Sequence, residues 1–407
     1  MPMPAIPTGG FAGSAASDPV VGQSGTRQPV IKYLGSKRRL VPALTEMAVA
    51  SGAVTALDLF TGTTRVAQAL KRLGIHTTAV DSSRAAHVLA QCYVATDPNQ
   101  TQSFLSEVSD AVAFLNGLEG CPGYVTETFC ESARFFRPEN GARIDAIRDA
   151  IDAGYSGTPL WPVLMTSLLE AADRVDSTTG VQMAYLKQWA SRAHRPLELR
   201  IPELVSGPGR AVRGDACELV TNTKTPDSLT PVDLAYLDPP YNQHRYESNY
   251  HVWETLVAWD APTHYGIACK REDLRLPTGR SPFNSRRTMP EALAGVIAAV
   301  RADTVILSYN NESWLSLDEL VEMCASRGHV EVVAFDSARY VGARIGIHNQ
   351  KGRKVGTVSH VRNTEYVLIA GERDRVRRMA QAVTGAGLGI PVERPERAGI
   401  RKGTVPV

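Results

Sequence analysis

The sequence predicts an α/β protein, a mostly parallel sheet interrupted by a mostly helical insertion. Three observations predict it. Ala53–Phe60, a glycine turn, a helix and Ile75–Val80 make a strand–turn–helix–strand unit that ends on Asp81. From about residue 95 to 205 that texture is lost, and aromatic and charged residues mix with interrupted helical periods. Regular alternation returns at Arg210-Ala211-Val212-Arg213-Gly214-Asp215 and runs to a last strand at Thr364–Ala370.

Composition narrows the class. A chain of 407 residues has room for a large core and roughly two domains. It is 43% hydrophobic and 21% charged, as globular proteins are. Its net charge of +2 means that any nucleic-acid surface must come from local clusters of Lys and Arg. Six scattered cysteines argue against a zinc site or a disulfide framework and suit a reducing compartment. No apolar run reaches transmembrane length and no signal-peptide pattern opens the chain, so a cytoplasmic location is expected. Residues 1–29, rich in Gly, Ala, Ser and Pro, read as a disordered lead-in, and residues 385–407 as a loose tail.

Order begins at Ile31-Lys32-Tyr33-Leu34-Gly35-Ser36-Lys37. Gly35-Ser36 reads as a turn and N-cap, and Leu40, Leu44 and Met47 line one face of the helix after it. Lys37, Arg38 and Arg39 then sit at that helix's N-terminal end, where cations oppose the helix dipole; a bound anion or a solvated basic face explains them. In the next unit Asp58 closes a strand and Thr61-Gly62-Thr63-Thr64 makes the turn. Arg65–Leu73 is a helix closed by Gly74, and Asp81 lies about 20 residues on, where an acid takes ribose hydroxyls. Gly62 is the turn's only glycine, and no phosphate-binding lysine follows. Asp58 is an acid a phosphate site avoids, so a ligand with a cationic group and an adenosine, such as S-adenosylmethionine, fits better than NAD or ATP. The plain alternative for Asp81 is the N-cap of a helix over Ser82–Tyr93.

Within the insertion, Trp161–Ala172 and Val181–Trp189 read as helices. Arg134-Phe135-Phe136-Arg137 reads either as a nucleic-acid grip or as core packing. Past it, Asp215 caps a helix at Ala216–Val220. Pro231–Leu237 is a buried strand ending in Asp238-Pro239-Pro240-Tyr241. The two prolines stop the strand, which leaves Asp238 at its carboxyl end beside Tyr241 on a stiff backbone. A carboxylate, a carbonyl without a ladder partner and an aromatic ring suit a flat ring bearing an amino group; a tight surface turn is the plain alternative. Helices follow at His251–Trp259, Glu291–Val300 and Leu317–Arg327, and strands at Thr304–Tyr309 and Val330–Phe335. A basic hairpin, Arg339–His348 with Val355–His360, carries Arg339, Arg344 and Lys351 and reads as a phosphate contact or as a charged edge.

Taken together and in this order, Ile31–Lys37, Asp58–Thr64 and Asp238–Tyr241 resemble the Dam-like, alpha-class N6-adenine-specific DNA methyltransferases. The resemblance covers about residues 30 to 372. It implies a Rossmann-like methyltransferase sheet of seven strands, the last antiparallel, built from 30–95 and 206–372. It implies that 96–205 is a target-recognition insertion, that S-adenosylmethionine is the cofactor and that double-stranded DNA is the substrate. A cognate restriction endonuclease, or host or phage DNA protection, follows as context. Residue by residue, Tyr33, Gly35 and Lys37 hold the methionine end, with Lys37 toward its carboxylate. Asp58, Phe60 and Gly62 form the cofactor loop, Asp81 takes the ribose, and Asp215 lies near the cofactor's adenine. Asp238, Pro239, Pro240 and Tyr241 hold a flipped-out adenine, and no metal is needed. Thr64 stands where the family often has a second glycine. Arg134, Arg137, Arg339, Arg344 and Lys351 are the candidate DNA contacts. Rival readings are a methyltransferase acting on RNA adenine, a cytosine amino group or a protein glutamine, a non-catalytic DNA-binding module, and a nicotinamide oxidoreductase.

Overall fold

The computed structural model describes residues 31–32, 37–222, 228–240, 246–276, 281–338, 347–348, 354–356 and 362–392. The expected N-terminal lead-in, Tyr33, Gly35, Tyr241, Arg339, Arg344, Lys351 and the tail from 393 lie outside them. Among the described residues no helix is long and apolar enough to cross a membrane.

The sheet strands in chain order are β1 (Thr55–Asp58), β2 (His76–Asp81), β3 (Gly209–Arg213), β4 (Val232–Leu237), β5 (Ala302–Asn310), β6 (His329–Ala338), β7 (Arg362–Gly371) and β8 (Ile390–Pro391). They lie in the order β8-β6-β7-β5-β4-β1-β2-β3. Strands β3, β2, β1, β4 and β5 pair in parallel, and β7 runs antiparallel to both β5 and β6. The sheet therefore has one strand more than the seven expected. Ile390–Pro391, expected to be loose, pairs with β6 at its outer edge. Pro391 suits an edge because it has no N–H to give the ladder. Gly389 lets the segment come close, since a Cβ there would stand 2.5 Å from Val333 Cγ1.

Both faces of the sheet are apolar, as parallel strands require. In β4, Leu234 and Tyr236 face one layer, and Val232, Ala235 and Leu237 the other. The first layer is built by α1 (Val41–Ser51), α2 (Arg65–Arg72) and a C-terminal helix, Arg373–Gly385, that the sequence reading did not anticipate. Leu40, Leu44 and Met47 are buried there as expected. The α-helix starts only at Val41, after a 3₁₀ turn at Lys37–Arg39, because Pro42 fits just the first helical turn.

The segment between β2 and β3 contributes α3 (Arg84–Ala90), α4 (Phe104–Asn116), α5 (Pro138–Tyr155) and α6 (Trp161–Val175). Their apolar faces share one cluster with the helix His251–Ala258. Phe129, Phe135 and Phe136 are fully buried in it. Each such side chain contributes about 1.5–3 kcal/mol by leaving water, so the two Phe residues of Arg134-Phe135-Phe136-Arg137 pack the core. Val181–Trp189 is not a helix. Thr178 bridges Tyr185, Leu186 N–H donates to Ser177 O, and Gln182 N–H donates to Asn249 O at 2.7 Å. These distant partners take the backbone groups that a helix would pair within itself.

Candidate active site

Four acids stand at or just beyond the carboxyl ends of four neighbouring parallel strands. Asp215 follows β3, Asp81 ends β2, Asp58 ends β1 and Asp238 follows β4. The strand order reverses between β1 and β4, and open α/β sheets bind ligands outside such a switch point. All four acids line one cleft with Lys37, Phe60, Gly62, Arg65, Tyr236, Pro240 and Phe283.

Burial sets the character of this edge. Asp58 is only 1% exposed. Its Oδ2 accepts from Thr61 Oγ1 at 2.9 Å and Ala67 N–H at 3.1 Å, while Oδ1 has no hydrogen-bond partner among the described residues. Burial pushes its carboxyl up to about 7. Asp81 accepts from Gly62 N–H and Ser83 N–H, both at 2.9 Å, and burial pushes it up to about 6. It is not the helix cap; Ser83 is, accepting from Ala86 N–H at 3.1 Å. Asp215 does cap its helix, through Cys217 N–H at 2.8 Å and Glu218 N–H at 3.2 Å. Phe60 meets Phe283 edge to face at 5.1 Å, an apolar side to the cleft.

The turn between β1 and α2 uses two left-handed residues, Gly62 at φ 50° and Thr64 at φ 60°. Thr64 thus stands at a position that suits glycine. Its side chain is held: Thr64 Oγ1 donates to Thr63 O at 2.7 Å and accepts from Gln68 Nε2 at 2.8 Å.

Lys37 is buried between two carboxylates. Its ammonium stands 3.0 Å from Asp238 Oδ1 and donates to Glu365 Oε1. Ser308 Oγ donates to the same Asp238 oxygen at 3.1 Å and lies 3.0 Å from the Tyr236 hydroxyl. Burial raises the Asp238 carboxyl to about 6; Lys37 pulls it down and Glu365 pushes it up. Glu365 reaches this edge because β7 is antiparallel, which places its start beside Asn310 at the end of β5. Arg134 and Arg137 lie away from the cleft, both over the Trp189 ring at 4.6 Å and 5.7 Å.

A strand-end Asp-Pro-Pro beside an acid-lined cleft at the switch point fits methyl transfer to an amino group. The family model for D12 class N6 adenine-specific DNA methyltransferases matches residues 33–323. The chain belongs to this family. This D12-class enzyme is 28% identical over 349 residues to the type II methyltransferase M.NlaIII of Neisseria lactamica, across 81% of the chain and 98% of that protein. It is 28% identical over 309 residues to the modification methylase StsI of Streptococcus sanguinis, across 72% of the chain but 46% of the longer relative. It is 30% identical over 229 residues to the type II methyltransferase M.CviAII of Paramecium bursaria Chlorella virus 1, across 54% of the chain and 64% of that protein. No solved structure matches the chain. The D12-class enzyme is a site-specific DNA adenine methyltransferase, and its reaction draws on a methyl donor.

The sequence reading of this methyltransferase missed Glu365, Ser308, Phe283 and Arg65. Glu365 left one signal, an acid in the strand Thr364–Ala370 directly before the apolar run Tyr366–Ala370, where an unpaired charge is costly. Ser308 and Phe283 left none.

Proposed function

We propose that the acidic strand edge binds S-adenosylmethionine and presents it to an adenine flipped out of duplex DNA. The observation that carries this is the strand-end Asp238, fixed by Lys37 and Ser308 beside a cleft whose other carboxylates suit a cationic, hydroxyl-bearing ligand. The fit extends along the cleft. Asp58 Oδ1, buried without a partner, suits an ammonium. Asp81, anchored by two amides, suits ribose hydroxyls. Phe60 and Phe283 give an apolar wall for an adenine ring near Asp215.

When bound, this cofactor supplies a methyl group on a sulfonium, an electrophile that needs no metal. The amino nitrogen of adenine is conjugated with its ring and is a poor nucleophile. Asp238 and the Pro239 carbonyl accept its two hydrogens, which favours a tetrahedral nitrogen with its lone pair aimed outward. Pro240 stiffens the turn, and Tyr241 gives the extruded base a stacking surface. The methylated nitrogen would give up its surplus proton to Asp238 or to water, so positioning and electrostatics, rather than prior proton abstraction, carry most of the acceleration.

Residues 30–95 and 206–372 form the catalytic part in this reading, and 96–205 reads the DNA sequence. Arg134 and Arg137, with the hairpin's Arg339, Arg344 and Lys351, contact phosphates. The relatives' names support a restriction-modification role. A cognate endonuclease as partner and a cytoplasmic place of action belong to the same proposal. The test is Asp238→Ala: it keeps binding S-adenosylmethionine in calorimetry and loses transfer of tritiated methyl groups to DNA. Transfer at the parent rate refutes the role of Asp238.

A further inference from the structure

Among the described residues, two that line the cleft each hold a buried side-chain atom without a hydrogen-bond partner, Asp58 Oδ1 and Arg65 Nε. They carry opposite charge and do not pair with each other. Arg65 is the first residue of α2, directly after the left-handed Thr64, and faces the cleft beside Thr63 and Val66. No direct contact neutralises it. Arg38 and Arg72 add like charge near it. The acid it feels, Glu170, already accepts from the Tyr93 hydroxyl and lies 3.9 Å from Arg174. Lys37, the other cation lining the cleft, is held between Asp238 and Glu365.

A guanidinium and a carboxylate that face one cavity unpaired match an amino-acid zwitterion. A nucleotide phosphate would satisfy Arg65 and repel Asp58; a plain nucleoside would leave both unmatched. Resting on the cofactor reading above, we propose that Arg65 anchors the α-carboxylate at the amino-acid end of S-adenosylmethionine, with Asp58 Oδ1 taking the α-ammonium. The planar fork of an arginine suits a carboxylate, and water is largely excluded from Nε. Lys37 then works on Asp238 rather than on the cofactor's carboxylate.

The test compares two ligands that share the adenosine and the sulfur. S-adenosylhomocysteine carries the zwitterion, and 5′-methylthioadenosine lacks it. Calorimetry on the full chain and on Arg65→Gln is expected to show S-adenosylhomocysteine weakened at least about tenfold, the scale of a charged hydrogen bond. Binding of 5′-methylthioadenosine stays within about twofold in the same variant, which also reports that the cleft is intact. Arg65→Lys, which keeps charge but loses the fork, falls between. Unchanged affinity for S-adenosylhomocysteine in Arg65→Gln overturns the inference, as does an equal loss for both ligands. A parent chain that binds neither ligand overturns the cofactor reading itself.

Discussion

A buried lysine stands between two carboxylates at the strand ends. Lys37 and Glu365 are 328 residues apart in sequence, yet they meet at Asp238. In the proposed role Asp238 accepts amino hydrogens most strongly when ionised, and burial has raised its carboxyl to about 6. Methyl transfer therefore falls as pH drops through that value and levels off above it. Glu365 adds negative charge beside Asp238 and so raises it further. Replacing Glu365 by Gln removes that charge, and the acid limb of single-turnover methyl transfer moves to lower pH. A variant whose rate falls with no movement of the limb assigns Glu365 a packing role alone. Lys37 and Asp238 were legible in the sequence because each lies in a short local pattern. Glu365 was not, because only the antiparallel pairing of a distant strand carries it to the site.

At the scale of elements, the turn from β1 to α2 is where sequence and backbone conflict. A β-branched residue in the left-handed region costs about 1–2 kcal/mol, and glycine avoids that cost. Thr64 tolerates it because its hydroxyl ties Thr63 O to the Gln68 amide. Thr64→Val keeps the strain and deletes the hydroxyl, leaving Gln68 Nε2 without this partner. A loss of about 1–3 kcal/mol in denaturant unfolding is expected. Thr64→Gly is the milder change, since relief of strain offsets the lost bonds. Equal unfolding midpoints for Thr64→Val and the parent contradict this view of the turn. The strands and the helices flanking this turn were readable from their periods. Val181–Trp189 was misread because its apolar residues serve tertiary partners instead of a helix face, Tyr185 against Phe135 at 5.6 Å among them.

For the molecule as a whole, function follows from how the strands are ordered. Parallel β3, β2, β1 and β4 line up four acids at one edge, and antiparallel β7 adds a fifth. The order of the sequence motifs along the chain foretold that edge. It did not foretell the small edge strand β8, nor the core shared by α3, α4, α5, α6 and the helix His251–Ala258. If residues 96–205 read the DNA, as proposed, the bases selected are written in shape and contact, which no short pattern encodes. In the proposed mechanism this edge methylates adenine N6 at defined sites in DNA, with Asp238 accepting a hydrogen bond from the amino group. Long-read sequencing of DNA from methylation-deficient cells expressing the parent chain or Asp238→Ala tests it most directly. N6-methyladenine confined to one sequence context is expected with the parent and none with the variant. Methylated cytosine, no modified base with the parent, or equal N6-methyladenine from both chains would contradict it.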